Sequence, residues 1–219
     1  AYGFDLDDYA TLNLVNSKPN DSLLINGDRL INQRVFAGGQ PAANVYGEDR
    51  WKGSADGLQI EQVVENTETI NQSVTISWQG GTGTASVNGV SGLNSGDNLI
   101  LDTSGNYSVI VPTDASKIKL EYGSVATPYQ ARLIGEELAL CQRYYNFTGV
   151  NLSSATSDNN RIIGTMFYPQ IMRDTPAVTV VPEFGTITTP VITDRSLRYD
   201  NTVVGSQSSA IIEVDAEIY

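Results

Sequence analysis

The chain has 219 residues, 40% of them hydrophobic and only 17% charged, with 20 glycines and a formal net charge of −12. A chain of this length buries roughly 70% of its unfolded surface, enough for one large domain or two small ones without a metal or disulfide staple. So acidic a surface repels phosphate backbones and anionic bilayers, which argues against nucleic acid or membrane insertion, and the complete lack of histidine removes Ser-His-Asp and Cys-His nucleophile systems and His-based zinc sites.

Residues 1–20 read as a separate segment. Asp5, Asp7 and Asp8 stand among Tyr2, Phe4, Leu6 and Tyr9, and Ser17-Lys18-Pro19-Asn20 closes the stretch with turn residues. It has neither the basic nor the apolar region of a signal peptide. The aspartates lack the glycine and distal glutamate of an EF-hand loop, which argues against calcium. Such an acidic-aromatic tail is either a docking peptide or an ordinary loose terminus.

Leu23-Leu24-Ile25 then reads as a short buried strand, ended by the Asn26-Gly27-Asp28 turn, where positive φ is needed. Residues 30–50 are irregular. Leu58 to Val64 is a strand candidate. Val74, Ile76 and Trp78 alternate with Thr75, Ser77 and Gln79, the pattern of a half-buried strand. Gly80-Gly81-Thr82-Gly83 reads as a turn between strands rather than a phosphate loop, since no helix follows it. Ala85 to Val87, Leu99 to Leu101 and Tyr107 to Val111 follow, and then Ile118, Leu120 and Tyr122 alternate with Lys117, Lys119 and Glu121. Strands at spacings near ten residues, joined by turn chemistry, argue for a sandwich or jelly roll.

Residues 135–145 break the pattern. Glu136 and Glu137 sit where a helix N-terminus favours acids, and Leu138, Cys141 and Tyr145 are spaced three and four apart. The spacing predicts a short helix that passes into a strand at Tyr144-Tyr145-Asn146-Phe147. Cys141, the single cysteine, is expected to be a small buried residue. Tyr144 and Tyr145 are expected to pack the helix between domains or between subunits. Beyond it lie an apolar stretch from Arg161 to Met172 and strands at Ala177 to Val181 (ending at Pro182), Ile187 to Ile192 and Ser196 to Tyr199. In the last strand Ile212, Val214, Ala216 and Ile218 form a core stripe, and Glu213, Asp215 and Glu217 form an acidic face. The expected organisation is all-β: a tail at 1–20, a jelly-roll or β-sandwich domain at 21–133, a linking helix at 134–146 and a second sandwich-like domain at 147–219.

Two stretches carry a family resemblance. Leu23-Leu24-Ile25-Asn26-Gly27-Asp28, with Ile31-Asn32-Gln33-Arg34 and Tyr46-Gly47-Glu48-Asp49-Arg50-Trp51, resembles the opening of the carbohydrate-binding-like jelly roll of bacteriophage tail-fibre and virion-surface proteins. The more specific stretch runs from Leu120-Glu121-Tyr122-Gly123-Ser124-Val125-Ala126-Thr127-Pro128-Tyr129 to Gly135-Glu136-Glu137-Leu138-Ala139-Leu140-Cys141-Gln142-Arg143-Tyr144-Tyr145. It is similar to the junction that leads into the C-terminal domain of the same proteins. The region between Gly53 and Ser116 matches in strand pattern only and looks reduced. The resemblance implies a cofactor-free homotrimer on the virion surface, in the tail or on the capsid. It also implies recognition of a host-surface glycan, while the acidic-aromatic composition of residues 1–20 points to tethering to other virion proteins through Tyr2, Phe4, Asp5, Asp7, Asp8 and Tyr9.

The residues themselves leave several roles open. Tyr46, Trp51 and Tyr129 are candidate ligand platforms, because aromatic rings stack on sugar faces, although Trp51 and Trp78 are also large enough to anchor a core. Arg34 and Arg50 are expected to pair with Asp28 or Asp49 at the surface, where ion pairs contribute little. Glycosidase chemistry needs two carboxylates at a set separation. Glu136 and Glu137 are adjacent, and Asp49, Glu61, Glu65 and Asp97 have no diagnostic context, so no catalytic role is expected. Capsid decoration and a carbohydrate-binding module of a larger enzyme are the other readings.

Overall fold

The computed structural model describes residues 22–152, 162–184, 188–201 and 208–218. The N-terminal candidates Tyr2, Phe4, Asp5, Asp7, Asp8 and Tyr9 lie outside them. In chain order the first unit holds β1 (Lys52–Gly53), β2 (Ile60–Val64), β3 (Ile70–Gln79), β4 (Ala85–Val87), β5 (Val90–Leu93), β6 (Asn98–Thr103), β7 (Tyr107–Val111) and β8 (Ser116–Tyr122). These form two antiparallel sheets, ordered β1-β2-β7-β4-β5 and β6-β3-β8. Val74, Ile76 and Trp78 of β3, with Leu101, Ile118 and Leu120, pack against Ile60, Val64, Val87, Val109 and Val111. Each such side chain contributes about 1.5–3 kcal/mol on burial.

Helix α1 (Ile134–Gln142) leads into the second unit, made of β9 (Tyr145–Leu152), β10 (Ile162–Phe167), β11 (Ala177–Phe184), β12 (Thr188–Ile192), β13 (Ser196–Asn201) and β14 (Ser208–Asp215). Its sheets are ordered β11-β14-β9 and β10-β13-β12. Its own core joins Tyr168, Met172 and Leu197 to Ile212, Val214 and Ala216. The chain is thus an all-β, sandwich-like protein with a short helix.

The expected strand at Leu23-Leu24-Ile25 is instead an irregular run, although Leu24 is fully buried. Its backbone polar groups are met from elsewhere. Leu23 N donates to the Leu120 carbonyl at 2.7 Å, and the Gln62 amide bonds both the Ile25 N–H (2.8 Å) and its carbonyl (2.7 Å). One side chain does what a neighbouring strand would do, so no ladder forms. Two other departures concern which face of a strand is covered and where a strand ends. Lys119 and Glu121 are buried, because the segment carrying Thr127 lies over them: Lys119 Nζ meets Glu121 Oε2 at 2.7 Å, and Thr127 N–H donates to Glu121 Oε1 at 2.8 Å. Strand β11 does not end at Pro182. It continues to Phe184 through a register shift between those two residues, which accommodates a residue that cannot donate. Strand β5 had no apolar alternation to announce it. It follows from the Asn88-Gly89 turn, both residues at positive φ (48° and 80°), which folds β4 back on itself.

At the Asn26-Gly27 turn it is Asn26 that takes positive φ (56°). Gly27 is needed for a different reason. Its carbonyl accepts from Ile118 N–H at 2.9 Å, and a Cβ there would collide with the Ile118 carbonyl oxygen. Gly27→Ala is therefore expected to cost about 2–3 kcal/mol by forcing the backbones apart. Gly105→Ala, where a Cβ meets nothing within 4 Å, should stay within about 0.5 kcal/mol of the parent. Urea unfolding of the two variants checks the contrast.

Candidate functional site

Where the two β units meet, two arginines of the first hold the end of the last strand of the second. Arg50, 1% exposed, directs Nη1 at Glu217 Oε2, whose side chain is 0% exposed. Its Nη2 donates to the Val63 carbonyl at 2.6 Å, and its guanidinium lies 3.5 Å from the Tyr144 ring centroid. Arg34 reaches Asp215 at 3.4 Å and the other Glu217 oxygen at 3.5 Å, stacked 3.6 Å from the Tyr145 ring and 4.9 Å from that of Tyr46. The expected partners Asp28 and Asp49 take neither arginine in an ion pair. The alternation that put Glu217 on a wet acidic face fails at this residue, because the first unit covers that side of the strand end.

Helix α1 closes the other side of the joint. Glu137 accepts from the Asn26 N–H and from Arg132 at 3.1 Å. Arg132 in turn donates to the Leu24 and Ser22 carbonyls at 3.1 and 2.6 Å. Cys141 is buried in α1, and burial pushes its thiol well above the ordinary range, so it is inert rather than nucleophilic. Asp49 is buried too. Its carboxylate accepts from Gln33 N–H (3.2 Å) and Gln33 Nε2 (2.7 Å), and the same amide reaches the Tyr145 carbonyl at 3.0 Å. Burial raises the Asp49 pKa to about 6 against the opposing pull of Gln33 and Arg34, with Glu217 adding to the rise. For Arg50 burial acts to discharge the group, but Glu217 and the tyrosines outweigh it and the pKa is raised.

The three candidate ligand platforms fare differently. Trp51 is 0% exposed in the first core, and its indole N–H donates to the Asn26 carbonyl at 2.8 Å, so no ring face is open to a sugar. Tyr46 is buried in the joint, with its hydroxyl donating to the Ile218 carbonyl at 2.9 Å. Only Tyr129 is half-exposed, beside two small hollows that it shares with Arg132 and Glu137. These three are not brought together as a binding surface.

Two clefts that the sequence did not announce are larger. One, of about 500 Å³, opens at a loop end of the first sandwich, lined by Asp56, Gln59, Thr82, Thr84, Thr113 and Asp114. Gln59 Nε2 bridges its loops to the Thr84 carbonyl at 2.9 Å. Ser54 Oγ and the Leu58 N–H hold Asp56 below the usual carboxylate range, so it stays ionised. Hydroxyls, an amide and two carboxylates, with Leu58 and Pro112 beside them, give the cleft a largely polar lining. The other lies on the second unit around Phe167 and Arg195. Exposed loop residues have no periodicity to reveal them, which is why neither cleft was foreseen. Among the described residues no group of three or more His, Cys, Asp or Glu side chains is placed to hold a metal ion. No protein family, curated protein or solved structure matches this chain.

Removing one member of a buried ion pair strands the other. Glu217→Ala is expected to cost about 3–5 kcal/mol, and the Arg50→Met/Glu217→Leu double variant to recover most of it; urea unfolding of the set measures both. Asp49 binds its proton more tightly folded than unfolded. Its contribution to stability is therefore full below about pH 4 and is lost as pH rises to about 6. Asp49→Asn does not titrate, so its stability, measured by urea unfolding across pH, should lack the fall between about pH 4 and 6 that the parent shows.

Proposed function

We propose that this chain is a virion-surface protein of a bacteriophage, of the fibre or spike class, that recognises a host-surface glycan without catalysis. The observation that carries the reading is where the shared residues fall. Asn26, Arg34, Tyr46, Asp49, Arg50 and Trp51 come from the first resembling stretch, and Glu137, Cys141, Tyr144 and Tyr145 from the second. They lie at or next to the contact between the two β units, Asn26 and Trp51 on the first-core side of it and the arginines and tyrosines across it. The resemblance thus concerns architecture, a rigid scaffold whose exposed loops are left free to carry recognition. The polar loop-end cleft of the first sandwich has the chemistry for a neutral saccharide.

Homotrimerisation and tethering through residues 1–20 belong to the same reading. A second reading, capsid decoration, keeps the virion and changes the role: such a protein stabilises the shell. Light scattering of the purified protein is expected to give threefold the chain mass, and deletion of residues 1–20 to leave that mass unchanged while abolishing incorporation into particles. A monomer in both forms overturns the self-contained fibre. Labelled antibody on intact particles separates a tail location from the capsid.

A further inference from the structure

The second unit ends in a feature that its own packing does not explain. Phe167, the last residue of β10, is 76% exposed, an unusual position for a phenylalanine. It stands opposite Ser196 of β13, on the outer face of the sheet, since its neighbours Met166 and Leu197 face the core. Beside it Ile171 and Gln170 complete the wall of a cleft of about 310 Å³, and Arg195, its side chain 68% exposed, forms the far side. The ion pair described for Arg195, to Asp194 at 4.0 Å, is exposed and weak.

The cleft is built rather than incidental. The Tyr168 N–H donates to the Arg195 carbonyl at 3.0 Å, and the Met172 N–H to the Asp194 carbonyl at 2.8 Å, which fixes the β12–β13 turn against the segment after β10. Within that turn Thr193 Oγ1 accepts from the N–H groups of Arg195 and Ser196, at 3.2 and 2.9 Å. Tyr168 also lines the cleft. It is buried, and its hydroxyl has no hydrogen-bond partner among the described residues. That hydroxyl is closed to solvent, so it is not a contact for a molecule in the cleft.

We propose that the Phe167–Arg195 cleft binds a carboxylate-bearing sugar, such as a uronic acid residue of a bacterial surface polysaccharide. The Phe167 ring offers a flat apolar face to the C–H face of a pyranose. The Arg195 guanidinium presents a planar fork that matches a carboxylate in a bidentate geometry. The Gln170 amide serves the ring hydroxyls. A chain of net charge −12 repels an anionic ligand over most of its surface, so an exposed arginine beside an open aromatic ring marks the place where one is accepted. The Asp56–Asp114 cleft has the opposite sign and does not compete for it. This inference rests on the glycan-recognition reading above and names the chemistry of one site for it.

The test is titration of the full chain with trigalacturonate and with its methyl ester, followed by saturation-transfer NMR. Trigalacturonate is expected to bind in a salt-sensitive way, with transfer to its ring protons. Arg195→Ala should weaken it at least tenfold and leave the ester unaffected, and Phe167→Ala should weaken both. Both residues are on the surface, so the variants are expected to keep the parent melting temperature. Equal affinity in parent and variants, or loss of the oligomer in Phe167→Ala, overturns the proposal; the latter would make the patch a subunit contact. An array of acidic and neutral bacterial polysaccharides separates the two levels of the argument. Binding that survives both substitutions sinks this site and leaves glycan recognition standing, whereas no binding to any glycan sinks both.

Discussion

The Arg50–Glu217 pair is the constraint around which the two β units are arranged. Taking either ion out of water alone costs several kcal/mol, so each is tolerated at 1% and 0% exposure only with the other in place. The pair spans 167 positions in sequence. Its two members come from opposite ends of the described chain, Arg50 beside Trp51 of the first core and Glu217 just past β14 of the second unit. Everything nearby serves its geometry. Val63 accepts the second Nη, Tyr144 covers the guanidinium face, and Arg34 takes the remaining Glu217 oxygen. Apolar contact between the units would hold them without direction. The Arg50 guanidinium, already held by the Val63 carbonyl of its own unit, directs its other nitrogen at Glu217.

That arrangement explains why residues that look suited to ligand binding are not available for it. Tyr46, Tyr144 and Tyr145 are stacked against arginines, and Trp51 is bonded to the Asn26 carbonyl. The aromatic wealth of the motif stretches is spent on the joint. The larger clefts lie away from it, at the loop end of the first sandwich and beside Phe167 on the second unit.

Alternation was a dependable guide where one face of a strand met the core and the other met water. Val74, Ile76 and Trp78 of β3, Tyr107, Val109 and Val111 of β7, and Ile212 and Val214 of β14 are all buried, in step with their pattern. The short helix and its passage into a strand at Tyr145 were legible for the same reason, since three- and four-residue spacing gave way to extended residues. The reading failed wherever a third layer covered the outer face. Lys119 and Glu121 lie under the segment carrying Thr127, and Glu217 under the first unit. A charged residue scores as exposed until its partner is known, and a partner far along the chain leaves no local trace.

Class and local order belong to the sequence by itself. Its alternating apolar residues, Asn-Gly and Gly-rich turns and single helical stretch require antiparallel strands with one short helix, and its lack of histidine narrows the available chemistry. These are properties of neighbours in the chain, where periods of two and 3.6 residues act. Which charges are buried, which tyrosines stack and which aromatic remains open were decided only by the tertiary structure. Arg50 and Glu217 are brought together across the two units, and Phe167 and Arg195 within the second, by pairings that leave no trace in the local sequence.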